Sequence, residues 1–340
     1  MSSVWVRVVT VWLCLGGMLR SADLSITTSY PPRLQVSGLP LTTQAVLWTD
    51  DLSSIDTVRW QVLTNLNLSS TEPVEVPLDV SQPGQRFFRT FEVPTNLVWL
   101  PPATFLVGSP ATEAERDIEF REIQHQVTLT RGVWMARFEV TQELYAEITG
   151  RTPATFRGVS LPVESVSWHD ATNFCGLLTR REREAGRLPA GLVYRLPTES
   201  EWEYGCRAGT STAFSYGPAL RAGMARFNTQ EEYDQVTGTK FGAPDPLPMG
   251  PVAIGSYQPN GFGLHDMHGN VSEWCLDGYA DYGTEPLVDP QGVSDLSHVA
   301  VRGGAWDVGG RICRSARRYG GVGVHSHYAI GFRVALALTP

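Results

Sequence analysis

The run Gly261-Phe262-Gly263-Leu264-His265-Asp266-Met267-His268-Gly269-Asn270-Val271-Ser272-Glu273-Trp274 sets three glycines and two carboxylates in one short stretch closed by a tryptophan. Carboxylate and main-chain oxygens crowded into a glycine-rich loop suit a hard cation such as Ca²⁺, which takes about six to eight oxygen ligands in a flexible shell. Glycine permits the sharp turns that aim carbonyls inward. The same spacing also suits a tight turn feeding a strand, with Trp274 in the core. His265 and His268 flank Asp266, and His325-Ser326-His327 places two imidazoles on one side of an extended segment. Two histidines and a carboxylate would suit non-haem iron. Solvated or hydrogen-bonded imidazoles give the same pattern, and iron is not expected.

Such residues need elements to hold them. Thr141 can cap a helix with Leu144, Tyr145 and Ile148 on one face and Gly150 as its stop. Ser167 opens a second helix, with Asp170 three residues on and Ala171, Phe174, Cys175 and Leu178 at helical spacing. Thr198 with Glu201 makes a capping box after Pro197, and Trp202 and Cys206 share a face one turn apart. From about Phe214 onward the chain is rich in glycine and proline with little periodicity. Loops of that length in a compact domain need another source of rigidity, which bound cations or disulfides can supply.

Four ordered stretches carry a family resemblance. They are Arg195-Leu196-Pro197-Thr198-Glu199-Ser200-Glu201-Trp202-Glu203-Tyr204, the glycine-rich run from Gly261 to Trp274, Val301-Arg302-Gly303-Gly304-Ala305-Trp306, and Ile330-Gly331-Phe332-Arg333-Val334. Together they resemble the formylglycine-generating enzyme, or sulfatase-modifying factor, family over about residues 96–338. The resemblance implies an α+β fold of the irregular, C-type-lectin-like formylglycine-generating-enzyme kind.

It also implies a calcium site using the side chains of Asp266 and Glu273 and the carbonyls of Gly269 and Val271. A second calcium site would start at Asn228 with the carbonyl of Thr229, and Asp234 and Asp245 are candidates for its aspartate. A disulfide between Cys206 and Cys313 is implied as well. The family's second bridge would end at Val334, so Cys175 is free or paired with Cys275. Trp306, Arg311, Arg314, Arg317, Arg318, Tyr319, His325 and His327 fall in the segment that corresponds to the family's substrate groove, and arginine and aromatic side chains are enriched in binding hot spots. Packing for Trp306 and ion pairing for the arginines are the plainer roles, and a buried structural pairing is expected for Arg333.

The family's oxidases oxidise a sulfatase cysteine with oxygen and Cu(I), held by two cysteines after the glycine–glycine turn. Thiolates select that soft ion. After Gly304 this chain offers only Cys313, as the sole catalytic candidate, so copper is not expected. The expectation is a calcium-stabilised binding or maturation module for a protein or other extracellular ligand. An oxidase acting on a protein or small sulfur-containing substrate is the rival.

The 340 residues allow two domains. A net charge of −8, with Arg180–Arg187 broken by Glu182 and Glu184, argues against nucleic acid. Arg7 followed by the apolar Val8–Leu15 reads as a cleaved signal peptide over residues 1–22, too short to span a bilayer. The expectations are therefore export to the periplasm or medium, no membrane partner after cleavage, and a compartment that permits disulfides. Residues 23–95 alternate short Val-, Leu-, Phe- and Trp-rich runs with turn residues, which reads as a small all-β sandwich. That segment has no histidine and no cysteine, and is expected to be a spacer or adhesion module.

Overall fold

The structure, a computed structural model, describes residues 23–26, 33–37, 42–49, 61–68, 74–77, 87–117, 121–241 and 248–338. The expected signal peptide and Asp245 lie outside the described residues. The chain divides into two compact units. One comprises Met1–Leu97, Leu178–Val193 and Ala337–Pro340, and the other Val98–Leu177 and Tyr194–Leu336.

The first unit is built on two three-stranded antiparallel sheets. Arg33–Ser37 lies between Asp23–Ile26 and Val74–Pro77, and Thr42–Thr49 lies between Gln61–Leu68 and Phe87–Glu92. Leu34, Val36, Val76 and the run Ala45–Val46–Leu47 are buried, so alternating and continuous apolar strands both supply core. Where described, residues 23–92 are thus all strand, in two three-stranded sheets.

The second unit mixes short strands with helices whose starts follow from local chemistry. Helix α1 (Gln142–Thr149) is capped by Thr141, whose hydroxyl accepts from Leu144 N, and stops at Gly150 in the left-handed region. Helix α2 (Trp168–Glu184) starts after Ser167, whose hydroxyl accepts from Asp170 N at 3.1 Å while Asp170 accepts the Ser167 N–H. Helix α3 (Glu199–Arg207) carries the complete capping box between Thr198 and Glu201. Each cap satisfies amide donors that the first helical turn leaves unpaired.

A four-stranded sheet lies at the centre of the second unit. Its order is Arg318–Gly321, Val299–Arg302, Ser272–Gly278, Ile330–Gly331. Ser272–Gly278 pairs antiparallel with Val299–Arg302, setting Glu273 opposite Arg302, and parallel with Ile330–Gly331. All seven residues of that strand except Leu276 are buried. Its Trp274 indole donates to Val166 O at 3.0 Å, and the Trp168 indole donates to Cys275 O at 2.8 Å.

Buried ion pairs tie the long loops together. Four arginines, Arg302, Arg314, Arg318 and Arg333, are almost wholly buried and each is paired with a carboxylate. The Cys206–Cys313 bridge expected from the resemblance is not made: Cys175, Cys206, Cys275 and Cys313 are all free, buried thiols. Cys206 Sγ instead lies 3.6 Å from Ser315 Oγ and 3.7 Å from Met267 O.

Candidate functional site

The four sequence motifs converge on Glu273. From the strand, its carboxylate receives the Arg333 guanidinium in a two-pronged pair, Nε to Oε2 and Nη2 to Oε1, both at 2.7 Å. From α3, the Trp202 indole donates to Oε2 at 2.8 Å. Arg302, from the third motif, pairs with Glu203 of α3 and sits over the Trp202 ring at 5.3 Å. Charge-assisted, bidentate bonds of this kind fix side-chain orientation strongly.

Around this pair lie two further buried carboxylates. Asp266 adopts φ +59°, and its Oδ2 accepts the Gly255 N–H at 2.7 Å. Glu139 accepts from Asn270 Nδ2 at 2.8 Å and from Val271 N at 3.2 Å, so it braces the glycine-rich run from behind. Burial, and then the charges of Asp266 and Glu273, push the Glu139 carboxyl well above its ordinary value. Burial also raises Asp266, against the opposing pull of the Gly255 amide and Arg333. Three acids share one guanidinium, an excess of buried carboxyl groups that disfavours the charged forms of Glu139 and Asp266.

That excess is relevant to the calcium expectation, as is one atom: Asp266 Oδ1 is buried without a hydrogen-bond partner in the chain. An orphaned anionic oxygen in a carboxylate-rich loop fits a hard cation. Glu273 does not fit its expected role, because both its oxygens are already engaged by Arg333 and Trp202. Among the described residues no three His, Cys, Asp or Glu side chains converge as a metal-holding group. A cation here would therefore rest on Asp266 and main-chain oxygens.

The other expected sites are dispersed. Asn228 Oδ1 accepts the Gln230 amide at 3.2 Å in a local turn, and Thr229 Oγ1 is buried with no partner in the chain. Asp234 caps the hairpin between Glu231–Asp234 and Gly238–Phe241 and pairs with Arg221 at 3.3 Å. His265 is held by Tyr257 O at 2.8 Å. His268 is enclosed between Cys313 O at 2.8 Å and Ser215, whose amide lies 3.0 Å from Nε2, and burial lowers it to about 4. These histidines are hydrogen-bonded singly rather than gathered, while His325 and His327 are exposed.

The expected groove is corrected in the same way. Arg314 is buried against Glu122, at 2.7 and 3.0 Å, and against Glu113. Arg318 forms a bidentate pair with Glu199 at 2.7 and 2.6 Å, its guanidinium lying between the rings of Tyr279 and Tyr282. Arg317 bonds Asp117 at 2.8 Å. These side chains hold the loops and do not line an open surface. Trp306 is buried in a cluster with Ala305, Ala329 and Phe156, and Tyr319 is half-buried, its hydroxyl pushed up to about 12 by burial. Of the eight, Arg311, His325 and His327 are exposed. Cys313 is buried, and burial raises its thiol far above the ordinary range.

Sequence reasoning passed over Asp277. It lies at the end of the central strand, buried, with one oxygen accepting the Glu199 N–H at the start of α3 and the other without a partner. Burial, with the nearby Glu199 and Glu201 charges, raises it from 3.8 to about 7. Between those values the folded chain holds a proton that the unfolded chain has released. This contribution to stability is therefore fully present below about 4 and is lost as pH rises through about 7. Asp277→Asn keeps an acceptor for the amide and removes the titration. Its melting temperature is expected to respond less to pH across that window than the parent's, and an unchanged slope would refute the assignment.

A family model described as the Sulfatase-modifying factor enzyme 1-like domain matches residues 86–338, and the chain belongs to that family. It is 35% identical over 198 residues to the formylglycine-generating enzyme of Streptomyces coelicolor, covering 56% of this chain and 55% of that enzyme. It is 27% identical over 177 residues to the chaperone protein LppX of Paenibacillus barcinonensis, covering 44% of this chain and 63% of that protein. Among solved structures, PvdO from Pseudomonas aeruginosa superimposes with a TM-score of 0.57 at 27% identity, over 71% of this chain and 94% of that one. The chain thus spans little more than half the length of the Streptomyces enzyme it matches.

Proposed function

We propose that this chain is an exported, calcium-stabilised binding or maturation module of the sulfatase-modifying factor family, without copper-dependent formylglycine formation. The observation that carries the reading is the state of Cys313. It is the only cysteine that follows the Gly303-Gly304 turn, and it is sealed in the core against Ala213, Phe214 and Tyr233. A linear Cu(I) site needs two thiolates. A buried thiol whose deprotonation is disfavoured supplies neither a pair nor a ready ligand. Support for calcium comes from the unpartnered Asp266 oxygen and the surplus of buried carboxylates, with the Gly269 and Val271 carbonyls completing the protein's share. Support for export is the Arg7-then-apolar start of the chain. Family members need not share one activity, and the relatives carry names as different as enzyme and chaperone.

Oxygen uptake tests the reading. Purified protein given Cu(I) and a sulfatase-type Cys-x-Pro-x-Arg peptide is expected to consume no more oxygen than copper and peptide alone. Uptake above that level, abolished by Cys313→Ser, would establish the oxidase instead.

A further inference from the structure

Between the central strand Ser272–Gly278 and its antiparallel neighbour Val299–Arg302 the chain makes a long excursion whose base is closed by Tyr279 N donating to His298 O at 2.9 Å. Loops of this length are uncommon in compact domains unless they have a function. This one is pinned. Leu287 and Val288 pair in parallel with Val127 and Thr128, and the Asp289 amide donates to Thr128 O at 2.9 Å. Asp289 Oδ1 accepts the Thr130 N–H at 2.7 Å. Gly292, at φ +64°, bridges to Gly278, where a methyl group would collide with the Asp277 side chain. Asp295 accepts the Ser297 amide at 2.9 Å.

The pinned loop faces water almost throughout, with Gly283–Asp289 and Gln291–His298 all exposed. Leu287, Val288, Val293 and Leu296 are 40% to 65% exposed. Single exposed aliphatics are ordinary, but four within ten residues on a rigid scaffold are a cost that packing does not explain. Asp281, Glu285, Asp289 and Asp295 accompany them, and no lysine or arginine occurs from Asp281 to Ser297. Pro286 and Pro290 bracket the short strand and limit pairing along its outer edge, so recognition would fall to side chains.

We propose that the loop 280–297 is a docking surface for a cationic segment of a partner protein that carries aliphatic side chains between its basic ones. The carboxylates supply charge complementarity and orientation, and the four aliphatics supply the anchoring area. The surface is separate from the Glu273 centre, so it can fail while the calcium reading stands, and the reverse.

The test uses a synthetic peptide of alternating lysine and leucine, a counterpart with glutamate for lysine, and fluorescence anisotropy at low and high salt. The lysine peptide is expected to bind, more weakly at high salt, and the glutamate peptide not to bind. Asp281→Asn/Glu285→Gln/Asp295→Asn and, separately, Val288→Ser/Val293→Ser are expected to weaken binding about tenfold at unchanged melting temperature. A control set on other elements, remote in sequence, Glu143→Gln/Glu147→Gln/Glu184→Gln, equal in charge change, is expected to alter it less than about twofold. Failure of the lysine peptide to bind would overturn the proposal. So would equal weakening by the control set, or an affinity indifferent to the two valines.

Discussion

Arg333→Met is expected to be the most damaging single substitution in the chain, lowering stability by about 3–5 kcal/mol. The size follows from what the guanidinium faces. It lies wholly buried, bonds both oxygens of Glu273, and also donates to Ala136 O at 3.0 Å and His265 O at 2.9 Å. Its removal leaves the buried Glu273 without its bidentate partner, beside Asp266 and Glu139. Glu273→Gln/Arg333→Met removes both charges and should recover part of the loss, because removing both charges of a buried pair is milder than orphaning one partner. Urea unfolding of the parent, both single variants and the double variant measures the coupling. If the double variant is as unstable as the sum of the singles, the pair does not organise this centre.

Gly269→Ala is the second large effect. Gly269 adopts φ +126°, and a methyl group there would be driven into the Arg226 main-chain carbonyl, the same oxygen that accepts the Asn270 N–H at 2.7 Å. Backbone cannot step aside as a flexible side chain can. Conformational strain and overpacking together should cost about 3 kcal/mol or more. Gly150→Ala is the matched control. Gly150 also has positive φ, +71°, but nothing lies within 4 Å of its added methyl, so only the backbone term of about 1 kcal/mol is expected. Comparable losses at the two glycines in urea unfolding would mean the close approach at Gly269 contributes nothing.

What the sequence made legible is what local chemistry decides. Thr141, Ser167 and Thr198 start helices because a hydroxyl two or three residues from a free amide is a short-range fact, visible in spacing. The motifs also pointed to the right centre, since Trp202, Glu273, Arg302 and Arg333 do meet. The partners that complete it were hidden by distance along the chain. Glu139 reaches Asn270 and Val271 from more than a hundred residues away, and no spacing in Arg137-Phe138-Glu139-Val140 marks it as a brace. Arg314 and Arg318 lie in a run that reads as a charged surface. Their acids, Glu113, Glu122 and Glu199, are remote in sequence, so burial in ion pairs could not be seen. For the same reason the rigidity that buried arginine–carboxylate pairs give the loops, where a disulfide was expected, could not be read from spacing. The loop 280–297 was missed because nothing periodic marks it, and its character shows only once exposure is known.

The proposed function is a calcium-stabilised module without copper chemistry, so the metal carried by the purified protein is the decisive quantity. Elemental analysis of the parent and of Asp266→Ala, each purified without chelator, measures it directly. About one equivalent of calcium in the parent, lost in Asp266→Ala, with copper and iron at background, is the expected result. Stoichiometric copper in the parent, or calcium retained in full by Asp266→Ala, would contradict the account.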